Sequence, residues 1–183
     1  MRAFAARAVD DGMRIVLISG KDSWGPWLTS AAETAVSSFS SFDLERTYAE
    51  KLLQVAAGSP KRPLFVGLDN LEYLLYSEYK TESLSKIEEL AGSLYTYVAI
   101  RLQRPDAQHF PLSLNAQFKN RLLMGRNPLI TNLMMFEDAA HLDDNWRPIP
   151  RGQGYLKAGP SMCPKRVKIP FDSAVQKLNS DVI

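Results

Sequence analysis

Three short apolar runs, separated by stretches with helical periodicity, constrain the fold of this 183-residue chain more than any other feature. The runs are MRIVLIS at 13–19, LFVGLD at 64–69 and LYTYVAIRL at 94–102. Continuous apolar runs of this length, with β-branched residues, are typical of strands that are buried on both faces. NRLLMG at 120–125 is a fourth run of this kind.

The stretches between these runs predict helices. In the stretch at 42–58 the apolar positions recur with a 3.6-residue period, and they are Leu44, Tyr48, Leu52 and Val55. Asp43 is suited to begin this helix and Gly58 to end it. The stretch at 81–92 repeats the scheme before its own glycine, with Thr81, Leu84, Ile87 and Leu90 on one face.

Alternating strands and helices predict an α/β fold, in which helices flank a parallel sheet. After residue 145 the chain becomes rich in Pro and Gly, and the pieces at 154–158 and 166–171 predict short C-terminal β strands. We therefore expect one domain over residues 1–171 and a C-terminal tail over residues 172–183.

Composition excludes several classes of site. Cys163 is the only cysteine, so an intrachain disulfide and a cysteine metal cluster are excluded, and His109 and His141 lie far apart with no ligand spacing around them. The net charge of +2 is too small to indicate nucleic-acid binding by itself. No apolar run reaches the roughly 18 residues of a membrane span, and the N-terminus does not have the form of a signal peptide, so we expect a cytoplasmic protein.

In an open parallel sheet, ligands bind beyond the carboxyl ends of the strands, which here are Ser19–Lys21, Asp69–Asn70 and Gln103–Arg104. A carboxylate at the position of Asp69 either holds a magnesium ion, usually through water, or caps the helix that follows. Asn70 can position a water molecule but cannot accept its proton. Glu72 reaches the site only if the backbone turns towards it.

Other polar groups leave two interpretations open. Gln103 and Arg104, just before Pro105, either sense a phosphate or touch a neighbouring subunit, or they belong to a polar loop. The basic residues of 119–126 and 165–168 either contact phosphates or form solvated faces. GKDS at 20–23 is not a phosphate-binding loop, because that loop needs the pattern G-x-x-x-x-G-K-[ST], and no other stretch has it.

Four stretches of the chain resemble four sequence motifs of one protein family, in the same order. LQRPDAQHFPLSLNAQFKNRLLMG at 102–125 is similar to an ATQRP strand end followed by lRAQFKNRIaLG, and IPRGQGYLKAG at 149–159 is similar to PPIPRGRGYL. LFVGLDNLEYLL at 64–75 resembles VVVIDELAELL, and GMRIVLISGKDSWGPW at 12–27 more loosely resembles G-h-V-h-h-I-D-P-K. Over about residues 12–171 the chain thus resembles the motor domain of the FtsK/SpoIIIE family of DNA-translocating ATPases, and in particular its branch in Gram-positive conjugative plasmids and integrated elements.

The resemblance implies a RecA-like P-loop-type fold, ATP and Mg²⁺ as cofactors, a hexameric ring and double-stranded DNA as partner. It implies that Asp69 coordinates the magnesium ion through water, that Gln103 reads the γ-phosphate, and that Arg121 lies near a subunit interface, where it reaches a neighbour's nucleotide. Three further basic side chains are expected to contact DNA or a neighbouring subunit, and they are Arg104, Lys119 and Arg126.

The chain also departs from the family pattern. The family's P-loop precedes the IDPK strand, so we expect a domain truncated at its N-terminus, and Asn70 stands where the second acid of the family motif would be. One hypothesis is a truncated or split piece of a translocase that works with a missing N-terminal portion. A second is a catalytically inactive module that binds an intact translocase or DNA. Membrane association through a partner is the alternative to a purely cytoplasmic location. A third is a gene remnant that folds poorly.

Overall fold

A computed structural model of the chain describes residues 1–19, 26–36, 44–103, 112–124, 136, 152–159 and 163–168. The chain divides into two compact units, Met1–Gln103 and Arg104–Ile183. The predicted boundary between domain and tail at 171/172 lies outside the described residues. Within the described residues, none of the helices combines the length and the apolar character needed to span a membrane.

The first unit is an α/β layer structure, as the alternation of runs predicted. Its strands are β1 (Arg14–Ser19), β2 (Thr34–Val36), β3 (Leu64–Asp69) and β4 (Thr96–Arg101). Its helices are α1 (Arg2–Asp10), α2 (Pro26–Ala31), α3 (Leu44–Leu53), α4 (Glu72–Leu75) and α5 (Lys80–Ala91). The strands are all parallel, in the order β2-β1-β3-β4, so the predicted parallel sheet with flanking helices is confirmed.

Helices cover both faces of this sheet. Ile15 and Leu17 of β1 pack in one cluster with Ala5 and Ala8 of α1. Because side chains alternate between the faces of a strand, the equally buried Val16 points to the other face. α3 packs on β1 and α5 packs on β4. β3, between two strands, is buried along its whole length, which explains its uninterrupted apolar sequence.

A left-handed turn leads from α1 into β1. Gly12, with a φ of +70°, follows the end of α1, and its N–H donates to the carbonyl of Val9. Glycine adopts this φ without steric cost, which lets the chain reverse within two residues. The sheet therefore begins directly after the helix that covers it.

The predicted helices form, with corrections at their ends. α5 ends at Gly92 as predicted, but Thr81 is exposed, and Ser83 takes its place among the buried positions. α3 ends at Leu53, and Gly58 does not cap it. A Cβ at Gly58 would lie 2.0 Å from the carbonyl oxygen of Tyr95, so this position requires glycine for close backbone packing beside β4. Asp43 lies outside the described residues.

The second unit contains an antiparallel sheet. Its elements are α6 (Leu112–Gln117), β5 (Asn120–Met124), β6 (Gln153–Ala158) and β7 (Lys165–Lys168). The sheet order is β5-β6-β7, so the fourth apolar run does not join the parallel sheet. β5 alternates between buried and exposed residues, a pattern that suits a sheet with one covered face, and Leu123 packs on Phe136 and Tyr155.

β2 was not predicted. Its three residues are too few to show a periodicity, and the strand forms because β1 offers a parallel partner, with Val16 opposite Thr34 and Ile18 opposite Val36. The short C-terminal strands were predicted, with β6 and β7 differing by a few residues at their ends.

Candidate functional site

A row of polar residues ends three neighbouring strands of the parallel sheet. The strand register places Ser19 opposite Asp69 and Asp69 opposite Arg101. All three are the last residues of their strands, so the sheet brings them together at its carboxyl end, where the sequence predicted a site. Asn70 and Gln103 continue the chain beyond this row.

Asp69 and Arg101 form an ion pair across the two strands. Oδ1 of Asp69 lies 2.5 Å from Nε of Arg101. The pair is asymmetric, since the aspartate side chain is 1% exposed and the arginine side chain 51% exposed. The contact lacks hydrogen-bond geometry, and Oδ1 accepts no hydrogen bond from the described residues. A buried carboxylate needs a compensating charge, and Arg101 supplies it.

A left-handed residue turns the chain after β3. Asn70 has a φ of 55°, a conformation that asparagine tolerates better than most residues. Its Oδ1 accepts a 2.9 Å hydrogen bond from Nε2 of Gln103, which joins the ends of β3 and β4. Its Nδ2 is buried and has no acceptor among the described residues. A buried amide donor without an acceptor is rare in folded proteins and indicates a place for a ligand or a water molecule.

Glu72 and Tyr48 support the same strand ends. The turn at Asn70 brings the Glu72 carboxylate to the backbone N–H of Gln103, which donates a hydrogen bond to it. Tyr48 of α3 lies beneath the site, fully buried, and its hydroxyl donates to the carbonyl oxygen of Asp69 at 3.3 Å. Burial, and then the charges of Asp69 and Glu72, raise the pKa of Tyr48 well above its usual value.

A magnesium ion bound directly to Oδ1 of Asp69 does not fit this arrangement, whereas coordination through water stays a prediction. No three His, Cys, Asp or Glu side chains within the described ranges are grouped so that they could hold a metal ion by themselves. Oδ1 of Asp69 already faces a guanidinium. What these residues present instead is a cation, a buried amide donor and a glutamine, which together suit an oxyanion.

The remaining candidate residues lie in the second unit or outside the described residues. Arg121 is buried, and its Nε donates to the carbonyl of Phe118 at 2.9 Å. Its neighbour across the strands, Lys157, is buried too. Lys119 is exposed. Arg104 and Arg126 lie outside the described residues.

A charged cluster occupies the opposite, amino end of the parallel sheet. Arg14 donates from Nε to both carboxylate oxygens of Glu33, at 3.0 and 2.9 Å, and Nη2 of Arg62 lies 2.8 Å from the same carboxylate. The Arg14 hydrogen bond lowers the pKa of Glu33 below its usual value. These side chains, with Lys61, line an open cavity of about 210 Å³.

Sequence reasoning missed Arg101 and Tyr48. The sequence showed Arg101 only as the end of an apolar run and Tyr48 only as a core position of a helix. A signal existed for Arg101, because an arginine and an aspartate that end two adjacent parallel strands at equal depth become neighbours. No sequence signal placed the Tyr48 hydroxyl at Asp69, since that contact depends on how α3 crosses the sheet.

No protein-family model matches the sequence. Nor does the sequence of any curated protein match it. Among solved structures, the cytoplasmic domain of the type VII secretion ATPase EccC from Thermomonospora curvata has a TM-score of 0.58 and 16% identity, over 86% of this chain and 21% of the EccC chain. The conjugation coupling protein TcpA of pCW3, in its monomer form with ATPγS, has a TM-score of 0.60 and 14% identity, over 93% of this chain and 58% of the TcpA chain.

This chain therefore spans about a fifth of the first protein and somewhat more than half of the second. At such identities the similarity concerns the fold. Its parallel sheet with flanking helices agrees with the architecture that the resemblance to the FtsK/SpoIIIE family implied. The chain shares its fold with parts of EccC and TcpA.

Proposed function

We propose that this chain is a piece of a DNA-translocating coupling ATPase of the FtsK/SpoIIIE type, and that the carboxyl end of its parallel sheet reads the terminal phosphate of a nucleotide. The fold supports the proposal, because both similar structures are ATPases or coupling proteins and one of them was determined with ATPγS. The phosphate-binding loop, whose pattern the sequence does not contain, would come from another part of the protein or from a partner subunit.

The observation that carries the proposal is the hydrogen bond between Gln103 and Asn70, together with the buried Nδ2 of Asn70, for which the described residues provide no acceptor. A phosphate oxygen is an acceptor of the kind that this donor lacks. Gln103 lies at the end of β4 and is tied to Asn70 after β3, so an anion that binds Nδ2 would act on both strand ends. That coupling is what a sensor of the γ-phosphate requires.

The proposal assigns the other residues roles that the resemblance implies. Arg121 would serve at a subunit interface, which requires its guanidinium to leave the carbonyl of Phe118. Lys119, Arg104 and Arg126 would contact double-stranded DNA or a neighbouring subunit of the ring. Each phosphate that a basic side chain neutralises would make the affinity for DNA more sensitive to salt.

Titration of the purified chain with a fluorescent ATP analogue, with and without double-stranded DNA, tests the proposal. We expect saturable micromolar binding, and about tenfold weaker binding for Asn70→Gly and for Gln103→Ala, a loss of roughly 1.4 kcal/mol. Asn70→Gly removes the amide but keeps a residue that tolerates a positive φ. Gln54→Ala, at an exposed position, is the matched control. Equal affinity of Asn70→Gly and wild type would contradict the sensor role.

A second candidate function is a module without catalysis that binds an intact translocase. Asn70 favours it, because an amide cannot take the proton of an attacking water molecule. The edge strand β4 also favours it, since Tyr97 on that strand and Leu94 just before it are largely exposed within the described sheet. Absence of nucleotide binding, together with co-elution of the chain with an intact translocase, would replace the first candidate by this one.

A further inference from the structure

The positive charge next to Asp69 is the guanidinium of Arg101, a residue of the same chain. The ends of β3 and β4 lie in register, so the side chains of Asp69 and Arg101 are neighbours by the geometry of the sheet itself. The 2.5 Å between Oδ1 and Nε is a direct ion contact. A divalent cation and this guanidinium cannot approach the same carboxylate oxygen together, because both are positive and both need the same space.

Arg101 is much more exposed to solvent than its ion-pair partner. Its side chain is half exposed although its partner is almost completely buried. The ion pair uses Nε, and the two Nη groups meet no acceptor among the described residues. Each Nη group of this planar cation carries two N–H donors, and Asn70, which follows the neighbouring strand end, has an Nδ2 without an acceptor among the described residues. Such donors suit a phosphate group.

We infer that Arg101 replaces the divalent cation at this site: its Nε neutralises Asp69, and its Nη groups provide the positive charge that a phosphate-bearing ligand meets. The site thus takes phosphate without a metal ion. The phosphate contact rests on the proposed function, whereas the exclusion of metal from Asp69 holds whether or not a nucleotide binds.

Titration of the whole chain with Mn²⁺, followed by the electron paramagnetic resonance signal of the free ion, tests the exclusion of metal. We expect wild type to show no saturable binding below millimolar Mn²⁺. Arg101→Gln should bind one ion per chain at least about tenfold more tightly, and Asp69→Asn/Arg101→Gln should lose that site. Arg46→Gln is the matched control, because it removes the same charge from an exposed ion pair with Glu50.

Two results would overturn the exclusion of metal. One is tight Mn²⁺ binding by wild type that Asp69→Asn abolishes, which would make Asp69 a metal ligand despite the guanidinium. The other is an Arg101→Gln protein that binds Mn²⁺ no better than Arg46→Gln. The first result needs only wild type and Asp69→Asn, so the exclusion can be overturned even if Arg101→Gln does not fold.

The phosphate contact is tested with the fluorescent ATP analogue in EDTA and in Mg²⁺. We expect wild-type affinity to be the same within about twofold in the two buffers, and Arg101→Gln to bind about tenfold more weakly in EDTA. Binding that requires Mg²⁺ would overturn the contact. If the analogue binds under neither condition, the contact and the proposed function both fail, and the Mn²⁺ titration still decides whether Arg101 keeps metal from Asp69.

Discussion

The polar and charged side chains at the two ends of the parallel sheet differ in burial and in hydrogen bonding. At the amino end, Glu33 is shared between Arg14 and Arg62 through contacts of 2.8–3.0 Å, and the three side chains are partly exposed. At the carboxyl end, Asp69 and Asn70 are almost completely buried, and each keeps a polar atom without a hydrogen-bond partner among the described residues.

This difference distinguishes a partly exposed ion cluster from a buried candidate site. Exposed ion pairs contribute little to stability because water already solvates the separate charges. A buried polar atom without a hydrogen-bond partner costs free energy, and Nδ2 of Asn70 is such an atom among the described residues, whereas Oδ1 of Asp69 has the ion contact with Arg101. The comparison therefore predicts large effects of substitution at the carboxyl end and small ones at the amino end.

The largest effect is expected at the ion pair of the carboxyl end. Arg101→Gln leaves the Asp69 carboxylate buried without its counter-charge, and we expect the free energy of unfolding to fall by about 2 kcal/mol. This is less than the roughly 3–5 kcal/mol typical of fully buried pairs, because Arg101 is half exposed. Urea denaturation followed by circular dichroism measures the change.

The double variant Asp69→Asn/Arg101→Gln serves as the control for that loss. Because it removes both charges, we expect it to recover most of the lost stability. If instead Arg101→Gln costs no more than Arg46→Gln on the helix surface, the Asp69 carboxylate does not depend on the guanidinium.

A smaller effect is expected beneath the site. Tyr48→Phe removes the hydroxyl that donates to the carbonyl of Asp69, at a cost of about 1 kcal/mol. Because the pKa of Tyr48 is raised, its protonation stabilises the folded chain below the ordinary tyrosine value of 10.0, and this contribution is lost as the pH rises above it. Unfolding curves at pH 8 and in the alkaline range should therefore show a steeper loss for wild type than for Tyr48→Phe.

Tyr97→Phe is the matched control for Tyr48, because its ring lies exposed on the edge strand. We expect this variant to have the same stability as wild type at pH 8. A Tyr48→Phe protein that also follows wild type would show that the hydroxyl contributes nothing to the strand end.

The smallest effect is expected at the amino end. Glu33→Gln should lower the free energy of unfolding by about 0.5 kcal/mol, since its partners are exposed and salt screens the interaction. The pKa of Glu33 is lowered by its Arg14 hydrogen bond, so the ion pairs stabilise the fold above the ordinary value of 4.5 and cease to do so as the pH falls through the lowered pKa.

Unfolding measurements at pH 7 and pH 3, each in low and high salt, check this prediction. The difference between wild type and Glu33→Gln should shrink both at pH 3 and in high salt. A Glu33→Gln effect as large as that of Arg101→Gln would remove the contrast between the two ends of the sheet.

Much of the first unit could be predicted because its signal is local. The apolar runs of β1, β3 and β4 and the periodicity of α3 and α5 reflect burial that neighbouring residues share, so a window of sequence reveals them. β2 could not be predicted, because three residues carry no period. The position of Gly58 could not be predicted either, since its glycine is required by the backbone of Tyr95, far away in the sequence.

The sequence by itself predicted the parallel α/β architecture, which the structure confirms, and the carboxyl strand ends, with Asp69, Asn70 and Gln103, as the candidate site. The tertiary structure alone decided what that site contains. The register of β3 and β4 set Arg101 against Asp69, the left-handed turn at Asn70 brought Glu72 to Gln103, and the packing of α3 set Tyr48 beneath them. The physical reason is that burial produces a periodic pattern of apolar residues within one helix or strand. The partner of a charged side chain lies on another strand, and the spacing of residues in the sequence does not reveal which one.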